Sequence, residues 1–162
     1  MKIRPADVAD AQAIMDIYNP YVTSSTATFD LIPRSPETQR EWIEDRSGAR
    51  FVLVAETEDG DVCGFASISQ FRDRAAYATT VEDSVYIAPE SHGIGVGKAL
   101  LSALIETARA HGFHSMIARI ESEQKASIAL HHSCGFEVVG HENEVGRKFG
   151  RWLDVIVMQR RL

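Results

Sequence analysis

The sequence predicts an α/β domain built as a single mixed sheet with helices on both faces. Three observations predict it. Strand-type and helix-type apolar patterns alternate along the chain in the order β-α-α-β-β-β-α-β-α-β-β. Val85-Tyr86-Ile87 is apolar without alternation, as in a strand covered on both sides. The 162 residues contain no repeat, low-complexity tract or linker, and this length suits one domain.

Residues 3–4 read as a short first strand. The following helix carries Val8, Ala11, Ile14, Ile17 and Tyr18 at helical spacing, with Asp7 or Asp10 as its cap. Asn19-Pro20 is expected to interrupt it, because proline clashes with the preceding turn. The small polar stretch 23–29 reads as a loop ending in Phe29. Ser35-Pro36 opens a second helix, to about residue 46, with serine at the cap and proline in the first position. Residues 51–55 and 62–70 form a hairpin around Gly60. A strand over 80–87 takes a central position. A strong helix runs to about residue 110, its apolar face formed by Val96, Leu100, Leu104 and Ala108, and His111-Gly112 ends it. A buried strand at 115–120, a helix at 125–133 stopped by Gly135, a strand beginning at 136 and a last strand at 152–159 complete the chain.

The composition excludes several classes. A net charge of −6 without a basic face argues against nucleic acid. No apolar run approaches the ~20 residues of a membrane span, and the first residues lack a signal peptide's apolar stretch. The cytoplasm is the expected compartment. Cys63 and Cys134 lack metal-site spacing and sit among apolar neighbours, so they read as buried thiols. The six histidines do not complete a ligand set with a carboxylate or thiol, and no metal is expected.

The most informative segment is a strand, a glycine loop and a helix: Val85-Tyr86-Ile87, then His92-Gly93-Ile94-Gly95-Val96-Gly97-Lys98. The first amides of a helix lack internal partners and attract anions, and glycines let a phosphate approach them. Lys98 adds positive charge there. The nucleoside triphosphate loop is excluded, since its first glycine falls on His92 and its hydroxyl on Ala99. The dinucleotide fingerprint is excluded, since its third glycine falls on Lys98.

What remains, Gln/Arg-x-x-Gly-x-Gly/Ala, resembles the loop of the GNAT superfamily of N-acetyltransferases, with His92 in place of the usual Gln or Arg. Further segments look like the phosphinothricin and methionine sulfoximine acetyltransferases within it. They are residues 71–77, Thr80-Val81-Glu82-Asp83-Ser84-Val85-Tyr86, residues 126–136, and residues 145–154 with their Trp152-x-Asp154. The resemblance covers nearly the whole chain. It implies one GNAT domain over residues 1–162, a mostly antiparallel mixed sheet, acetyl-CoA as co-substrate, a small amino-acid-like amine as acceptor, and a homodimer.

The resemblance also implies roles. Val85, Tyr86, Ile87, residues 92–98, Gln124 and Ser133 would meet the CoA, Gln124 standing where many relatives have Asn. Glu82 would take the amine's proton, directly or through water, because only the neutral amine attacks a thioester. The resemblance implies a splayed strand at residues 85–87, whose backbone amides can stabilise the oxyanion. His131 stands where many superfamily members place a tyrosine acid, so it serves either as proton donor to the thiolate or as a helix histidine bonded to backbone or CoA. Arg72 and Arg74, two apart at a strand end and so able to share a face, can grip a substrate carboxylate. Phe29 either walls the substrate or anchors its loop. Phe149 and Trp152 read as core or dimer contacts.

Overall fold

The computed structural model describes residues 1–46 and 48–162. Among them, seven strands form one sheet: β1 (Lys2–Pro5), β2 (Val52–Glu56), β3 (Val62–Gln70), β4 (Thr80–Ile87), β5 (Ser115–Glu121), β6 (Glu137–Lys148) and β7 (Arg151–Arg161). Their spatial order is β1-β2-β3-β4-β5-β7-β6. Every neighbouring pair is antiparallel except β4–β5, which is parallel. The helices are α1 (Ala11–Ser24), α2 (Pro36–Glu44), α3 (Val96–Ala110) and α4 (Lys125–Ser133). The order of elements is the one the sequence predicts.

Alternation along the strands feeds two cores, because successive side chains point to opposite faces. Leu53, Ala55, Ala66, Ile68, Val81, Met116 and Ala118 pack under α3, whose Leu100, Leu101, Leu104 and Ile105 are almost fully buried. Each such side chain contributes about 1.5–3 kcal/mol. Val52, Val54 and Phe65 face the other way, against Ile14, Ile17, Tyr18 and Val22 of α1 and Ile43 of α2. Cys63 and Cys134 are buried free thiols.

The helix starts follow their caps. The Asp7 carboxylate accepts from Ala9 N–H and the Asp10 carboxylate accepts from Asp7 N–H, closing a 3-10 turn that leads into α1. Ser35 Oγ accepts from Thr38 N–H at 3.2 Å, with Pro36 at the first helical position. One expectation fails: Pro20 does not interrupt α1, which runs on to Ser24. Tyr18 and Val22 are buried on either side of it, and Ser24 Oγ donates to Pro20 O at 2.6 Å. Packing holds the last turn against proline's local cost.

Two of the sheet's irregularities bear on the site and its far edge. β4 and β5 pair only at Thr80–Ser115, Val81–Met116 and Glu82–Ile117, and beyond these residues the strands splay. In the β6–β7 hairpin, the register slips between Glu142 and Gly146. Asp154 fills the slip: Oδ1 accepts from Glu144 N–H at 2.8 Å, and Oδ2 meets His141 Nε2 at 2.8 Å. The aspartate of the Trp-x-Asp segment therefore organises a bulge.

Candidate active site

The splay opens a cleft of about 430 Å³. Its walls are residues 83–87 of β4, Ala118, Arg119 and Ile120 of β5, the glycine loop, and Ser127, Leu130 and His131 of α4. Tyr21 and Ala27 close it from the α1 side. Along residues 83–87, the edge of β4 that faces β5 lacks a strand partner. Apart from Ile87 O, which Tyr21 satisfies, the peptide groups on that edge are left for a ligand, since backbone donors and acceptors must be paired somewhere.

At one end of the cleft, α3 begins at Val96 behind Gly95, with no side chain capping it. Gly93 and Gly95 take left-handed φ values of 76° and 91°, and a Cβ at either would meet nothing within 4 Å. The turn is thus an open cradle that presents helix-start amides, the environment a diphosphate needs. Gly97 has a different reason to be glycine: a Cβ there would lie 3.1 Å from Leu130 of α4. Lys98 lines the cleft, while Ile94 is exposed and Val96 is buried in the core, so these two can offer only backbone. The His92 ring lies in the cleft wall, with Nε2 3.0 Å from Tyr21 Oη and 3.1 Å from Ile87 O. Tyr21 donates to Ile87 O at 2.7 Å. Gln124 also lines the cleft, its amide donating to Thr26 Oγ1 at 3.2 Å. Ser133 lies outside, exposed, with its hydroxyl on Leu130 O at 2.8 Å.

The two carboxylates of β4 point to opposite faces. Glu82, with Ser84 and Tyr86, lies on the α1 side of the sheet. It is half-buried, and burial pushes its carboxyl up, although Arg119 pulls the other way and Asp83 and Glu142 add to the rise. Asp83 points toward α4. Its Oδ2 lies 2.8 Å from His131 Nε2, and both side chains are almost wholly buried. His131 Nδ1 donates to Ser127 O at 2.8 Å. Burial disfavours a charged His131, yet the charge and hydrogen bond of Asp83 and the Ser127 carbonyl outweigh it and raise the imidazole's pKa.

A loop over residues 25–30 crosses the α1 side, fastened at three points. Thr26 Oγ1 donates to Glu121 Oε2 at 2.7 Å, Lys148 Nζ donates to Thr28 O at 2.8 Å, and Tyr18 Oη donates to Asp30 Oδ2 at 2.6 Å. Burial pushes Glu121 up, but donors from Thr26, Glu123 N–H, Gln124 and Ser122 outweigh it and leave its pKa lowered. Phe29 is neither in the core nor in the cleft wall. It is 42% exposed, and its ring covers Gly146 of β6, where a Cβ would overlap it.

The arginines differ from expectation. β3 ends at Gln70, so Arg72 and Arg74 do not share a strand face but stand in the loop that follows. Arg72 lies over the Phe71 and Tyr77 rings, and with Asp73, Arg74 and Tyr77 it lines a separate shallow hollow. Phe149 and Trp152 are also not core residues, being 56% and 57% exposed. The sequence reading missed Asp83, Tyr21 and Arg119 in the cleft. The one available signal was the acidic pair Glu82-Asp83, whose alternation sends one carboxylate to each face.

Among the described residues no group of three or more His, Cys, Asp or Glu is placed to hold a metal ion, and no helix is long and apolar enough to cross a membrane.

Residues 3–157 match the family model described as an acetyltransferase (GNAT) domain. An L-methionine sulfoximine/L-methionine sulfone acetyltransferase of Pseudomonas aeruginosa is 44% identical over 161 residues, 99% of this chain and 94% of that protein. The solved structure of a ribosomal-protein-alanine N-acetyltransferase from Brucella melitensis superposes with a TM-score of 0.97 at 44% identity, covering 100% of both chains. A GNAT superfamily phosphinothricin acetyltransferase from Sinorhizobium meliloti, in complex with AcCoA, superposes with a TM-score of 0.95 at 42% identity, covering 99% of this chain and 88% of that one.

Proposed function

The chain belongs to the GNAT acetyltransferases and is an acetyl-CoA-dependent N-acetyltransferase; from that premise we propose that its acceptor is the α-amino group of a small amino-acid-like molecule of the phosphinothricin, methionine sulfoximine or methionine sulfone type. The relatives named for such substrates, aligned over nearly the whole chain, support this acceptor. The observation that carries the site reading is the β4–β5 splay. It opens beside an uncapped glycine cradle, and the last pair before it is Glu82–Ile117, whose half-buried carboxylate lies outside the cleft wall on the opposite face of the sheet.

In this reading the amides before and within the first turn of α3 hold the diphosphate of CoA, with Lys98 beside them and His92 steadied by Tyr21. The thioester supplies the acetyl group. Glu82 removes the amine's proton, directly or through a water, and burial suits it to that work by raising its basicity. The free edge of β4 at residues 85–87 stabilises the oxyanion with peptide N–H groups. His131, its ring held between Asp83 and Ser127 O, acts as a helix histidine and not as donor to the departing sulfur. Arg74, with Arg72, receives the substrate carboxylate from the separate hollow these residues line, and Phe29, outside the cleft wall over Gly146, borders the acceptor's side chain from the α1 side.

A second copy of this chain is the partner in this reading. β6 is an edge strand of twelve residues, and the β6–β7 hairpin exposes Val138, Val139, Val145, Phe149 and Trp152. Natural sheets protect such edges, and a dimer does so by burial. Two buried free thiols fit a reducing cytoplasm.

The decisive experiment follows thiol release from acetyl-CoA with a panel of amines. Turnover of methionine sulfone, with spermidine and peptides inert, is expected. The likeness to a ribosomal-protein-alanine N-acetyltransferase favours a peptide N-terminus as the second reading, and turnover of alanyl peptides alone would establish it instead. Tight CoA binding without release from any amine identifies a silent acyl-CoA-binding module. Arg74→Ala is expected to raise KM for methionine sulfone about tenfold or more, with KM for acetyl-CoA unchanged, as loss of a charge-assisted carboxylate contact requires.

A further inference from the structure

Among the described residues, Lys98 and Arg119 are the lysine and arginine in the cleft wall. Lys98 stands at the glycine-loop end. Arg119 stands on β5, where Met116, Ala118 and Ile120 turn into the α3 core, so Ile117, Arg119 and Glu121 face the α1 side. Glu121 bears this out by accepting from Thr26 in the loop on that side. Glu82 lies on the same face, and its carboxyl feels the Arg119 charge.

The rungs of the sheet order these groups. Gln70 pairs with Val81, and the loop after β3 carries Arg72 and Arg74 before β4 begins at Thr80. Glu82 pairs with Ile117. Arg119 follows two residues later on β5, about 7 Å farther from that loop. The base thus stands between two sources of guanidinium, the hollow of Arg72 and Arg74 on one side and Arg119 on the other. Lys148 also faces the α1 side, but it is buried and its ammonium is spent on Thr28 O.

Arg119 is held without being used up. Its Nη2 donates to Glu142 of β6, whereas Nε and Nη1 have no partner among the described residues. Both side chains of the pair are open to water, 40% and 36% exposed. An ion pair so exposed holds weakly, and a guanidinium that can present two parallel N–H groups grips a well-placed anion better.

We propose that Arg119 is a specificity-determining residue: it receives a second anion, carried at the far end of the acceptor's side chain, in place of Glu142. The acceptor class is an α-amino acid whose tail ends in a phosphinate or a carboxylate. This rests on the acetyltransferase reading above and narrows its acceptor. Arg74 and Arg72 take the α-carboxylate, Glu82 the amine's proton, and Arg119 the tail. A neutral tail, such as a sulfone, leaves Arg119 on Glu142.

The test uses the full-length enzyme with phosphinothricin, L-glutamate and methionine sulfone, read by thiol release from acetyl-CoA. Release with none of the three sinks the parent reading. Release with methionine sulfone alone leaves that reading standing and overturns this proposal. Otherwise the better anionic acceptor tells phosphinate from carboxylate, and the readout is its kcat/KM divided by that of methionine sulfone. Arg119→Met is expected to lower this ratio about tenfold or more, chiefly through KM for the anionic acceptor, as loss of a hydrogen-bonded charge pair requires. A change in the basicity of Glu82 acts on every acceptor and cancels in the ratio. Arg119→Lys keeps the charge without the fork and is expected to retain part of the preference. A ratio in Arg119→Met within about twofold of wild type overturns the proposal. Should that variant not fold, Glu142→Gln decides: removal of the competing carboxylate is expected to lower KM for the anionic acceptor severalfold, and an unchanged KM overturns it.

Discussion

Glu82 shows how one position acquires its chemistry from its neighbours. Burial raises its pKa, Arg119 opposes the rise, and Asp83 and Glu142 reinforce it. The proposed base works only when ionised. The rate therefore falls as pH drops through this raised value, and the acid limb of kcat/KM is expected above the ordinary carboxylate value of about 4.3. Arg119→Met removes the opposing cation and frees Glu142 from its ion pair, so the limb is expected to move to still higher pH in a pH–rate profile. Glu82→Gln is expected to lower kcat/KM at pH 7 by about 10²-fold or more, with a smaller loss at high pH, where the amine is already neutral. An unchanged rate at pH 7 removes Glu82 as base. Glu82 was singled out in the sequence because its strand runs into the glycine loop and the family resemblance puts a base there. Asp83 was passed over because its partner lies 48 residues away on α4, and only the folded chain joins them.

At the scale of elements, local chemistry was readable and its limits were tertiary. α4 was expected over residues 125–133 and runs Lys125–Ser133, bounded by Gly135 in a left-handed conformation. α2 began where Ser35 and Pro36 placed it. Pro20 misled because the cost of a proline is local, whereas the packing of Tyr18 and Val22 that outweighs it is not. Arg72 and Arg74 misled although the end of β3 at Gln70 was read correctly: residues two apart share a face only on a strand that continues through them, and here the chain has already left the sheet. The glycine loop was the most legible element, and each glycine has its own demand. Gly95→Ala places a Cβ on a residue with φ of 91°, which costs about 1–2 kcal/mol of backbone strain. Thermal melting is expected to fall by a few degrees, and isothermal titration is expected to show weaker binding of acetyl-CoA. Unchanged affinity would mean that the loop does not hold the CoA diphosphate.

For the molecule as a whole, the fold class and order of elements could be read from periodicity, but the shape of the sheet could not. Periodicity in residues 80–87 and 115–121 does not announce that their pairing stops after three positions; only the family resemblance implied a splayed strand at 85–87. The exposed hairpin belongs to this scale too. Trp152→Glu places a charge among the exposed apolar side chains at the sheet's far edge, and sedimentation is expected to show a dimer becoming a monomer. A wild-type monomer at micromolar concentration would refute the homodimer.

The three-position seam makes the sheet two mechanical plates: β1–β4 on one side and β5, β7 and β6 on the other. A ligand threaded between them acts as a missing rung, tying the plates together through the peptide groups of residues 83–87. Catalytic readiness then becomes a matter of stiffness as well as contact. Hydrogen–deuterium exchange is expected to slow at those amides when acetyl-CoA is added, while the amides of β2 and β3, already laddered on both sides, keep their rates.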